Sequence, residues 1–72
     1  MKITLRDRKS GEEWTGTDLG EVLHRAFGER ARLELGEEVG EHSTMHTVTD
    51  ARLAYGGHAV LGSVVVTREE AE

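Results

Sequence analysis

The stretch Asp18-Leu19-Gly20-Glu21-Val22-Leu23-His24-Arg25-Ala26-Phe27-Gly28 constrains this chain more than any other. Leu19, Val22, Leu23, Ala26 and Phe27 recur at i, i+3, i+4, i+7 and i+8, which gathers them on one face of a 3.6-residue helix. Glu21, His24 and Arg25 take the other face. Asp18 is a favoured N-cap residue, and Glu21 stands three places on, as a capping box requires. Gly28 supplies the residue that commonly ends a helix. A helix over 18–28 is too short to be stable alone in water, so its apolar stripe must be covered. The flanking segments, which read as strands, are the cover.

Lys2-Ile3-Thr4-Leu5-Arg6 alternates, with Ile3 and Leu5 on one face, and predicts a first strand. Arg8-Lys9-Ser10-Gly11 reads as a turn, and Glu12 to Gly16 returns as a second strand that sets Trp14 opposite Leu5. After the helix, Ala31, Leu33 and Leu35 alternate with polar residues and predict a third strand over 31–35. Residues 36–41 are acidic and glycine-flanked, which predicts a mobile loop, with a bulged extension of the strand as the alternative. The Thr-rich run from His42 enters a further strand. The last strong signal is Gly56-Gly57 between two β-rich runs, a two-residue hairpin turn. That turn would pair Tyr55 with His58, Leu53 with Val60, Thr49 with Val64, Val48 with Val65 and Ser63 with Asp50.

These segments predict an α+β domain: a mostly antiparallel sheet of four to five strands with one helix on one face, in the order ββαβββ. Trp14 and Phe27 are the expected anchors of its core. Residues 1–72 form one domain, with 68–72 a solvated, frayed tail. A hairpin leading into a helix resembles the opening of a β-grasp domain over the first half of the chain.

Net charge is −5, which argues against a general nucleic-acid binder, because such affinity rests on Lys and Arg neutralising phosphates. The absence of cysteine excludes disulfides and thiolate metal sites and suits a reducing cytoplasm. No apolar run is long enough to span a membrane, and the first residues lack the apolar core of a signal peptide. A cytoplasmic chain is expected.

Sites of chemistry are sparse. His42 and His46 stand four apart, which in a strand separates them by about 13 Å, and no Glu follows His42 as a helical zinc motif demands. Ser43 with His42 or His46, and Ser63 with His58 and Asp50, lack the setting of a nucleophile. The glycines do not form a phosphate loop. No enzyme activity, metal or cofactor is expected.

Two surfaces remain. Glu34, Glu37, Glu38 and Glu41 can steer the chain towards a basic groove on another protein, with Tyr55 and His58 of the last hairpin as further contacts. Arg6, Arg8 and Lys9, in the first hairpin, can instead touch phosphate. In size, charge and strand-rich layout the chain resembles the small acidic inhibitors that phages carry against bacterial defence, including anti-CRISPR proteins. The resemblance implies a protein that covers a basic nucleic-acid channel of a larger partner; a monomer or homodimer is expected. The alternative is a nucleic-acid-associated or regulatory accessory protein of a mobile element, acting through Arg6, Arg8 and Lys9.

Overall fold

Strand alternation, one amphipathic helix and short turns combine as the sequence predicts. The computed structural model describes residues 1–34, 36–50 and 59–70. The elements are β1 (Lys2–Asp7), β2 (Glu13–Gly16), α1 (Leu19–Phe27), β3 (Ala31–Leu33), β4 (Glu37–Gly40), β5 (Ser43–Asp50) and β6 (Ala59–Glu69). Together they make an α+β domain with a fully antiparallel sheet ordered β2-β1-β6-β5-β3, in which β4 also pairs with β5. The helix packs on β1, β2 and β3, and among the described residues no element covers the opposite face of the sheet.

The first hairpin closes through Asp7. Its carboxylate accepts from the Lys9 backbone N–H at 2.8 Å, and its carbonyl accepts from Gly11 at 2.8 Å. Gly11 has φ 80°, a left-handed conformation that favours glycine. This turn fixes the register Leu5↔Trp14 that the sequence predicts. At the helix start, Asp18 Oδ1 accepts from Gly20 N at 3.0 Å. Glu21 lies 3.7 Å from Arg25, one helical turn on. Gly28, at φ 99°, donates its N–H to His24 O and ends the helix.

One face of the sheet meets α1. Leu5, Val22, Val48, Val64 and Val66 are the largest fully buried side chains, joined by Ile3, Leu23 and Ala31. Trp14 and Phe27 are half-buried and lean on this core with ring centroids 6.0 Å apart, tilted at 51°. The expected aromatic anchors therefore stand at the core's margin, and branched aliphatics fill its centre.

Two expectations are corrected. The acidic stretch 36–41 is not a loop: Glu37–Gly40 forms β4, with Glu37↔Met45, Glu38↔Thr44 and a bulge at Val39 before Gly40↔Ser43. Glu34 N donates to Thr47 O at 2.9 Å, so β3 and β4 line the same side of β5 with a short break between them. Gly36 sits in that break, where a Cβ would overlap the Met45 carbonyl oxygen and the His46 ring.

The second correction is the register of the last hairpin. Val48 faces Gly62, Thr47 faces Ser63, Met45 faces Val65 and His46 faces Val64, with Leu61 an extra residue on β6 between Val48↔Gly62 and Thr49↔Val60. Ser63 is thus opposite Thr47, not Asp50, and Val48 and Val65 are not partners. The cause is the third strand. β6 lies between β1 and β5, and Leu5↔Val66 holds it so that Val48, Val64 and Val66 share the helix-covered face. The expected register would have put Val48 and Val64 on opposite faces. The Gly56-Gly57 turn and the pairs of Tyr55 with His58 and Leu53 with Val60 involve positions outside the described residues. At the other end β6 continues through Arg68 and Glu69, into the stretch expected to fray, with Lys2↔Glu69 as its last pair.

Candidate binding surfaces

Register decides which residues share a surface. Glu34 and Glu37 belong with Arg32, Thr47 and Met45 on the open face, whereas Glu38 follows Thr44 onto the face that carries Ile3 and Leu5. Glu41 lies in the turn between β4 and β5. The four expected carboxylates are exposed, but β4 divides them between two faces. Glu34 is further tied to the sheet, because its Oε1 accepts from Thr49 Oγ1 at 3.4 Å.

Glu38 and Glu41 instead meet Glu69 and Glu70 around a cleft of about 680 Å3 at one end of the sheet. Met1, 56% exposed, and Arg68 also line it. Thr44 and Arg68 come from the same face as Ile3 and Leu5, beyond the stretch that α1 covers. Glu69, Glu70 and Met1 were not candidates in the sequence reading. Only the pairing of β6 with both β1 and β5 brings the two chain ends beside the β4–β5 turn.

The open face carries the basic residues. Glu13, Arg6, Val65, Met45 and Glu37 form one row across β2, β1, β6, β5 and β4. The next row contains Arg8, Ser63, Thr47 and Glu34, set by Arg8 N donating to Ser63 O at 3.0 Å and Glu34 N donating to Thr47 O. A groove of about 470 Å3 runs along this face, with Arg6, Arg8 and Glu13 on its walls and Val65 and Thr67 on its floor. Lys9 is held in the turn beside it by the Asp7 carboxylate. Placing Glu13 opposite Arg6 offsets part of the charge that phosphate would need.

The candidate nucleophiles serve the sheet. Ser43 Oγ and Thr67 Oγ1 are 2.9 Å apart across β5 and β6. Ser63 Oγ donates to His46 O at 3.4 Å and accepts from Arg8 at 3.3 Å. His46 is engaged at both ring nitrogens: Nε2 lies 2.7 Å from Thr44 Oγ1 and Nδ1 2.8 Å from Glu34 O. Its ring sits beside Gly36 in the break between β3 and β4 and ties the Glu34 carbonyl to β5. His42 is exposed in the β4–β5 turn. Among the described residues no three His, Cys, Asp or Glu side chains are placed to hold a metal ion, and no helix is long and apolar enough to cross a membrane. Tyr55 and His58 lie outside the described residues. No family model, curated protein or solved structure matches this chain.

Proposed function

We propose that this chain is a small acidic binding protein that works by occupying a basic surface of a larger protein, without catalysis. The observation that carries the reading is the convergence of Glu38, Glu41, Glu69 and Glu70 around one open cleft, drawn from two separate stretches of chain. Carboxylates at a projecting end steer a partner of opposite charge, and the cleft beside exposed Met1 offers apolar contact once the two surfaces meet. Net charge of −5 adds a field of the same sign. In its finer form the reading is a cytoplasmic phage inhibitor of bacterial defence, of the anti-CRISPR kind, that fills a nucleic-acid channel. Size, acidity and the lack of cysteine support that form.

The test begins with capture from host lysate, with and without nuclease, to identify a protein partner. The combined variant Glu38→Gln, Glu41→Gln, Glu70→Gln should melt like the parent, since all three residues are exposed. It should associate with the captured partner at least about tenfold more slowly at low salt, with the gap closing as salt rises. Equal association rates at low salt, or recovery of nucleic acid alone, would overturn the reading.

A further inference from the structure

The open face is self-complementary in charge. Inside Glu13, the row runs Arg6–Val65–Met45–Glu37, with the basic residue on β1 and the acidic residue on β4, three strand spacings or about 14 Å away. The adjoining row repeats the order as Arg8–Ser63–Thr47–Glu34. Both rows have their midpoint between β6 and β5. A twofold axis parallel to the strands, lying above that midpoint, reverses each row on a facing copy. Arg6 of one copy then meets Glu37 of the other, Arg8 meets Glu34, Val65 meets Met45 and Ser63 meets Thr47.

We infer that the open sheet face is the interface of a homodimer, with a second copy of this chain as its occupant. One axis satisfies both rows at once, and an isologous contact requires that kind of self-match. The centre of the face suits burial. Val65 and Met45 are half-buried with no second layer over them among the described residues, and the surrounding hydroxyls of Ser43, Thr67 and Ser63 already have partners within their own chain. Covering them strands little polar capacity. The groove floored by Val65 and walled by Arg6 lies where the facing copy presents Met45 and Glu37. Sheets stacked face to face stand about 10 Å apart, a gap that Arg, Glu and Met side chains span. The acidic cleft lies at the end of the sheet and adjoins the face at Ser43, and its carboxylates Glu38, Glu41, Glu69 and Glu70 lie outside both rows, so the dimer would display them twice.

Sedimentation equilibrium on the full chain tests this without any partner. The parent should shift from the mass of one 7.9 kDa chain to twice that as concentration rises. Arg6→Glu places two carboxylates together at each margin, and Glu37→Arg places two guanidinium groups together. Each variant alone should therefore weaken dimerisation at least about tenfold, because facing like charges repel. An equimolar mixture of the two restores opposite charges at both of those contacts and should regain dimer, as should the chain carrying both changes. Melting curves matching the parent establish that each variant is folded. A parent that stays monomeric at its highest soluble concentration overturns the inference. So do single variants that dimerise like the parent, or a mixture that associates no better than its components.

Discussion

Val64, Val65 and Val66 are three identical residues in a row on β6, and they live in different surroundings. Val64 and Val66 are fully buried under α1 against Leu5 and Val48, whereas Val65 stands half-buried on the open face beside Met45. The residue type is the same, and the backbone is the same strand. What differs is the presence of a second layer. A sheet stabilises its domain through the face that something covers, and keeps the other face for solvent or for another molecule. The covered face is built mainly on aliphatic side chains, with Trp14 and Phe27 at its margin and His46 and Asp50 on its β5 side. The open one mixes hydroxyls, arginines and glutamates around Val65 and Met45, with Val60 exposed further along it.

The contrast can be broken at its strongest point first. Leu5→Ala removes a fully buried side chain from the centre of the covered face and should cost about 3 kcal/mol, transfer and cavity together. For so small a domain that is a large share of the total, and chemical denaturation should show a much lower midpoint. A midpoint within error of the parent would mean that the covered face is not what holds the chain together. A middle-sized effect comes from the cover itself. Asp18→Ala removes the cap at the start of α1 and should cost about 1 kcal/mol with the fold intact, read from the thermal midpoint and an unchanged far-ultraviolet spectrum. No change would place the start of the helix elsewhere. The smallest effect belongs to the open face. Val65→Thr, measured in dilute solution where association contributes nothing, should change stability by less than about 0.5 kcal/mol. A loss as large as that of Leu5→Ala would show that Val65 has a covering layer within one chain.

Local signals carried much of this fold. The period of Leu19, Val22, Leu23, Ala26 and Phe27 located the helix to within a residue at each end, because capping and amphipathicity are both short-range properties. The first hairpin was equally readable, since one tight turn sets the pairing of Leu5 with Trp14. The second hairpin was not. Its register is set by β1, a strand more than fifty residues away in sequence, and a turn signal at Gly56-Gly57 knows nothing of β1. β4 escaped for a related reason. Glu37, Glu38 and Gly40 have little intrinsic strand tendency, and they pair because β5 offers a free edge.

The binding surfaces were legible only as ingredients. Acidic residues at 34–41 and basic ones at 6–9 stand out in composition. That Glu38 and Glu41 join Glu69 and Glu70, while Glu34 and Glu37 join the rows of Arg8 and Arg6, depends on register alone. A shift of one residue in β4 would exchange Glu37 and Glu38 between the two surfaces.

The ring of His46 has a chemical consequence of its own. A carbonyl oxygen has no proton to give, so the contact between Nδ1 and Glu34 O requires the proton on Nδ1. In the uncharged imidazole Nε2 is then bare and must accept, which obliges the Thr44 hydroxyl to turn its hydrogen towards the ring. The rarer of the two neutral tautomers of histidine is thereby selected by backbone geometry, and with it the orientation of a hydroxyl that would otherwise rotate freely. Nitrogen chemical shifts of the ring report that choice directly. They make His46 an internal probe of whether the chain at Glu34 stays docked against β5 or has come away.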